Sequence, residues 1–272
     1  MRIQIIVENK VFGSGLIAEH GLSLLGEIGG KRFLFDLGQS QDVFLNNCRK
    51  LGVNIEDVDF VFLSHGHYDH TGSLALLPDL VSSHTVLYAH SLIRTGKYKK
   101  EGKRLRYVGL PDVDWDRLTD SCMVDLAFPC RRIDENLFLS GSIPDYGYPK
   151  MISPYYVLKD GEVDEFNDEV CLYCLVKEEV VILTGCSHRG ILNIVSHARE
   201  KLSLPVRAII GGFHLQGLPE EELERVVSEL ERLGVKELYP LHCTGVEEAC
   251  WIKRRFSGKC EVKGCGDEIV FS

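Results

Sequence analysis

Positive charge is in deficit in this chain, and no long apolar run is present. The 272 residues carry 31 Lys and Arg against 40 Asp and Glu, a formal net charge of -9 that argues against a general nucleic-acid or anionic-membrane binder. No segment approaches the ~20 apolar residues that cross a bilayer, and Met1-Arg2-Ile3-Gln4-Ile5-Ile6-Val7-Glu8 reads as a strand, not the apolar stretch of a secretory signal. A Gly-rich phosphate loop with its lysine is missing, which argues against a nucleotide-driven motor or kinase. Cys260 and Cys265 lack a second pair at zinc-finger spacing, so a structural zinc site has no support. Without an export signal, the ten cysteines read as reduced thiols or metal ligands, and the expected location is cytoplasmic. Nothing in the sequence assigns an oligomeric state.

What is present is an ordinary globular composition, 44% apolar and 26% charged, with material for a substantial core. We expect one domain over residues 1–272 with a basic insertion or flap at about 91–128. The most informative stretch is His65-Gly66-His67-Tyr68-Asp69-His70, directly after the apolar run Phe60-Val61-Phe62-Leu63. In an extended segment side chains alternate, so His65, His67 and Asp69 fall on one side and His70 crosses over at the turn. Nitrogen and carboxylate donors of this kind suit zinc, manganese or iron.

The periodicity predicts strands at 2–8, 22–28, 32–36, 59–64, 85–89, 137–139, 170–176, 179–184, 206–211, 236–241 and 268–271. Helices are expected at 41–51 with Ser40 as N-cap and Gly52 beyond its end, at about 190–202, from Pro219 at the first position to Leu233, and from about 245 to 256. From 91 to about 128 no clear period survives. Arg94, Lys97, Lys99, Lys100, Lys103, Arg104 and Arg106 there face the single acid Glu101, as a solvated excursion or as a flap receiving an anionic substrate, with Arg104 and Arg106 as its contacts. Four strands end in histidine: His65 with its neighbours, His188, His214 and His242. His20, His84, His90 and His197 read as surface or satisfied core residues. Asp36 ends an apolar strand where a bare carboxylate is costly, so it reads as an acceptor for the ligand loop behind the metal ligands, or as a turn cap.

These residues carry a family resemblance. The His-x-His-x-Asp-His motif after an apolar strand, Phe35-Asp36-Leu37-Gly38 and the strand-end histidines together resemble the metallo-β-lactamase superfamily over essentially the whole chain. Leu63-Ser64-His65 onward to Gly72, Thr184-Gly185-Cys186-Ser187-His188, Gly211-Gly212-Phe213-His214-Leu215 and His242-Cys243-Thr244-Gly245 are similar to its branch of 7,8-dihydropterin-6-methyl-4-(ribofuranosyl)aminobenzene-5'-phosphate synthases. The resemblance implies an α/β fold, an αββα four-layer sandwich of two mixed sheets with helices on the outer faces and a metal site at one sheet edge. It implies one or two divalent ions, zinc first with iron or manganese as alternatives. His65, His67 and His188 would hold one, Asp69, His70 and His242 the other, all in one cluster, with Asp69 and His214 in catalytic roles.

Two departures stand out. Cys186 occupies the place where dinuclear hydrolases commonly carry a bridging aspartate, as a thiolate ligand or as a small buried hydrophobe. The mid-chain histidine is absent from Leu139-Ser140-Gly141-Ser142-Ile143-Pro144, and His214 is a further ligand, a proton shuttle or a substrate contact. The implied substrate is a small anion, phosphorylated or pterin-like, with Tyr146, Tyr148, Tyr155 and Tyr156 as stacking or core residues. The implied reaction joins a pterin methyl diphosphate to ribosylaminobenzene phosphate. The alternatives are hydrolysis of a phosphoester or phosphodiester, and a non-catalytic metal or ligand sensor on the same fold.

Overall fold

Short runs of β-branched and aromatic residues, too brief for helices, become strands, and in the computed structural model they form two large mixed sheets and one small sheet. The structure describes residues 1–126 and 129–272, so the last two residues of the expected 91–128 stretch lie outside the described ones. The chain divides into two compact units: Met1–Phe128 with Ile152–Asp168 and Gly264–Ser272, and Pro129–Met151 with Glu169–Lys263.

In the first unit the strand order is Glu268–Val270, Arg2–Val7, Ser23–Ile28, Lys31–Phe35, Phe60–Phe62, Val86–Tyr88, Met123–Asp125. Pairing is antiparallel as far as Lys31–Phe35 and parallel beyond it. The sheet packs on an apolar cluster that includes Leu34, Phe44, Val61, Leu77 and Leu87, with Phe44 and Cys48 supplied by the helix Gln41–Leu51. That helix ends as expected, with Gly52 in the left-handed region at φ 67. Its start differs. Ser40 makes no side-chain cap bond, and Glu19 instead accepts from the backbone N–H groups of Gln39 and Ser40 at 3.0 Å.

In the second unit the order is Lys259–Cys260, Glu237–Leu241, Val206–Gly212, Glu179–Thr184, Leu172–Val176, Leu137–Leu139, Arg131–Asp134. The first four are mutually parallel and the rest pair antiparallel. Helices Ile191–Leu202, Glu220–Arg232 and Val246–Arg255 belong to this unit. Glu220–Arg232 buries Leu223, Val226, Val227 and Leu230 at helical spacing, begins with Glu220, Glu221 and Glu222 and ends with Arg232, as the macrodipole favours. Pro219 sits at its N-cap, one residue before the expected place, a shift within the ordinary fraying of helix ends. Two mixed sheets, each with its own helices, make the α/β architecture that the resemblance implied.

The expectation that 91–128 has no period is corrected. Lys97–Glu101 and Arg104–Tyr107 form a hairpin around Gly102, at φ 63, and Tyr156–Leu158 adds a third strand. Charged residues on both faces mask the alternation. Lys97 does not belong to a solvated patch either, because it is 2% exposed.

Two of the four histidines set aside behave as expected: His84 is exposed, and the buried His197 is satisfied by the Tyr173 hydroxyl at 2.8 Å from Nδ1. Burial, with the Lys201 charge second, lowers the His197 pKa to about 4. Because the folded value lies below the unfolded one, its contribution to stability is full above about pH 6.5 and is lost as pH falls toward about 4. The loss should reach about 3 kcal/mol. His197→Gln, which retains a hydrogen-bonding partner for Tyr173, should remove that component from denaturant midpoints measured between pH 7 and pH 4.

Candidate metal centre

Parallel strands all leave a sheet at the same edge, so residues just past their ends collect there. In the first unit, Lys31–Phe35 and Phe60–Phe62 are such neighbours, and Asp36 and Ser64 to His70 follow them. Asp36 is fully buried with φ 59, a left-handed conformation that costs an L-residue of order 1 kcal/mol or more. Its Oδ1 accepts from the Ser64 backbone N–H at 2.7 Å and its Oδ2 from the Ser64 hydroxyl at 2.7 Å, while His70 Nδ1 lies 2.6 Å from Oδ2. The Ser64 hydroxyl is also 3.0 Å from His65 Nδ1. One carboxylate therefore fixes the orientation of two imidazoles and directs their Nε2 atoms away from itself, the arrangement that metal-ligating histidines use.

Ring centroids of His65 lie 4.8 Å from His67 and 4.3 Å from His70. A ring nitrogen of His65 is within 4.8 Å of one on His67 and of one on His70. The extended alternation expected for the motif is corrected: Tyr68–Thr71 is a helical turn, so Asp69 and His70 sit on successive helical positions. His20 is exposed, in keeping with a surface histidine, but its Nε2 lies 3.0 Å from Asp69 Oδ2. No motif flags it; only folding brings residue 20 to residue 69.

Beneath the loop lies a buried ionic group that the sequence did not reveal. The Gly66 N–H donates to Asp168 Oδ2 at 2.8 Å, Lys97 Nζ bonds Asp168 Oδ1 at 2.8 Å, and Lys97 also bonds Asp164 Oδ2 at 2.7 Å. Burial works against the Lys97 charge, but the Asp168 and Asp164 carboxylates overcome it and raise its pKa above the ordinary value. Phe166 stands edge-on to His67 at 5.2 Å and takes Lys97 over its ring at 5.0 Å. A Cβ at Gly66 would meet the Ile93 carbonyl oxygen at 2.4 Å, so glycine is required for this approach. Asp168→Asn keeps an acceptor for Gly66 and removes the charge; metal binding by the first-unit ligands should weaken about 10-fold with far-ultraviolet dichroism unchanged. Equilibrium dialysis measures it.

Arg104 and Arg106 lie on the exposed strand Arg104–Tyr107. Arg106 Nε bonds Glu101 at 2.8 Å, and Glu101 first, then the Tyr68 hydroxyl, raises the guanidinium pKa. The Tyr68 N–H donates to the Val108 carbonyl at 3.1 Å, which ties the end of the hairpin to the histidine loop.

In the second unit the parallel strands Glu179–Thr184, Val206–Gly212 and Glu237–Leu241 deliver Cys186 and His188, His214, and His242. Hydroxyls lace these exits together: Ser187 Oγ donates to the Gly212 carbonyl at 2.7 Å, and the Phe213 N–H to Thr244 Oγ1 at 3.0 Å. His188 and His214 have ring centroids 4.4 Å apart. Glu169 is buried and accepts from the backbone N–H groups of His188 at 2.8 Å and Arg189 at 2.7 Å. Two acids directly before an apolar strand, Asp168 and Glu169, were the available signal for both of these contacts. Ser187, His214 and His242 share with Asp36 a positive φ, at 60, 52 and 48. Cys243, overlooked in the sequence, is also buried here; burial raises its pKa, but Cys186 and His214 outweigh that and pull it well below the ordinary value.

The description of the metallo-beta-lactamase superfamily matches residues 18–170. The chain belongs to that superfamily. Its members are in general metal-dependent enzymes, and the donor set of imidazoles, carboxylates and thiols fits a divalent ion. An uncharacterised protein of Methanocaldococcus jannaschii is 33% identical over 248 residues, 89% of this chain and 90% of that protein. The 7,8-dihydropterin-6-methyl-4-(β-D-ribofuranosyl)-aminobenzene-5'-phosphate synthase of the same organism is 29% identical over 274 residues, 96% of this chain and 92% of the synthase. The crystal structure of Tm1679, a metal-dependent hydrolase of the β-lactamase superfamily, aligns with a TM-score of 0.83 and 33% identity across 100% of this chain and 99% of that one.

Proposed function

We propose that this superfamily member is a metal-dependent enzyme whose first reading is the joining of a pterin methyl diphosphate to ribosylaminobenzene phosphate. The observation that carries the reading is the near end-to-end likeness to the pterin synthase, 96% of this chain at 29% identity. Residues 1–272 would act as one metallo-β-lactamase-like domain, in a cytoplasmic setting that suits ten free cysteines. The metal ligands would be His65, His67, Asp69, His70, Cys186, His188 and His242, with zinc first and iron or manganese as alternatives. A bound divalent ion supplies charge stabilisation at phosphoryl oxygens and makes hydroxide available near neutral pH. The remaining work falls to the chain: Asp36 and Asp168 would hold the ligand loop, His20 Nε2 would orient Asp69 through its contact at 3.0 Å with Oδ2, His214 would move a proton at a ring nitrogen, and Arg104 and Arg106 would bind phosphate.

Hydrolysis of a phosphoester is the second reading, favoured by the 33% identity and TM-score of 0.83 with the hydrolase Tm1679. Metal-loaded protein supplied with the pterin diphosphate and the aminobenzene partner should release diphosphate and the joined product. Release of phosphate from phosphoesters alone would select hydrolysis. Binding without any turnover would leave a metal or ligand sensor and refute both. Arg104→Gln with Arg106→Gln should raise KM for the anionic substrate about 2- to 10-fold, as expected for two exposed charges. Added salt should shrink that effect while metal content stays constant.

A further inference from the structure

The exit edge of the second unit carries a donor set of another character. Cys186 Sγ, Cys243 Sγ and a ring nitrogen of His214 all lie within 4.8 Å of one another, and the two cysteines are 3% and 8% exposed. Their approach is built into the backbone. A Cβ on Gly212 would stand 2.5 Å from Cys243 Sγ, so only glycine admits the thiol there. Cys243 Sγ is 3.5 Å from the Cys186 carbonyl oxygen, so the two strand exits lie side by side. His214 is kept at φ 52, a conformation that the surrounding fold must enforce.

A tetrahedral ion with metal–sulfur distances of about 2.3 Å and metal–nitrogen distances of about 2.0–2.1 Å separates its donors by roughly 3.5–3.8 Å. The observed span accommodates that spacing. Two thiolates and an imidazole with a fourth position open are a donor set for thiophilic cations, unlike the imidazole and carboxylate set of the His65 to His70 loop. We propose that Cys186, His214 and Cys243 form a thiolate–imidazole site for a soft cation of the zinc or cadmium type. The site adds Cys243 to the metal chemistry and gives Cys186 a ligand role within the second unit; it shares Cys186 and His214 with the proposed function, one His214 ring nitrogen ligating and the other left for proton transfer.

The test uses the full chain titrated with Cd²⁺ or Co²⁺, read by the thiolate-to-metal charge-transfer band and by protection of thiols from alkylation. The parent and a His65→Ala/His67→Ala variant should both give the band, with protection of Cys186 and Cys243. Cys243→Ser and Cys186→Ser should each weaken binding at this site by about 10-fold or more, with dichroism confirming that they fold. Metal bound by the parent without a charge-transfer band would overturn the proposal and leave the histidine-loop reading standing. A band in the parent that vanishes in the His65→Ala/His67→Ala variant would also overturn it, because the three residues would then not hold a cation by themselves. Failure of the histidine-loop reading has a different signature: the band persists, and the His65→Ala/His67→Ala change leaves total bound metal unaltered.

Discussion

His67→Ala should reduce turnover to background and lower bound metal by about one ion per chain, with the melting temperature nearly unchanged. His67 is 5% exposed and belongs to neither of the apolar clusters that hold the two units, so its loss removes a donor and little packing. Its ring does touch Phe166 and Tyr156, at 5.2 and 5.3 Å, so the comparison should include His67→Gln, which refills part of that space. Elemental analysis with a turnover assay on the same preparation decides it. Normal turnover in either variant would end the metal mechanism.

Asp36→Ala should be the most destabilising substitution near the centre. It removes a fully buried carboxylate from three partners, the Ser64 N–H, the Ser64 hydroxyl and His70 Nδ1, and leaves those groups buried without it. Breaking such a group costs about 3–5 kcal/mol, which for a chain of this size lowers the melting temperature by roughly 10 °C. Alanine is also worse than aspartate at φ 59. Asp36→Asn separates charge from shape, since asparagine tolerates the left-handed region and fills the same space. It should melt close to the parent and bind metal about 10- to 100-fold more weakly. Equal losses of stability in both variants would mean that Asp36 serves the fold alone.

Much of the fold was legible because the strands are short, strongly apolar and separated by turn residues. The hairpin of Leu172–Val176 and Glu179–Thr184, the helix Gln41–Leu51 and the four histidine-terminated strands follow from local pattern. Pairing order did not, since a strand such as Glu268–Val270 joins Arg2–Val7 through contacts more than 260 residues apart in sequence. The same limit applies at the centre. Runs such as His65 to His70 announce themselves by density, whereas Asp168, Lys97 and His20 act through partners tens of residues distant. Lys97 misled for a further reason: five basic neighbours share its hairpin region, and composition cannot tell which lysine turns inward to a carboxylate. The Tyr68–Thr71 turn misled because four residues are too few to show a helical period.

Left-handed backbone at Asp36, Ser187, His214 and His242 sets two selective pressures against each other. Glycine or asparagine would relax each position, so laboratory evolution for heat tolerance alone has an easy route through exactly the residues that carry donors and their supports. Variants gathered that way would drift toward sturdy, idle proteins. A lineage screened simultaneously for turnover should keep these four side chains and find its added stability elsewhere, in surface helices such as Glu220–Arg232.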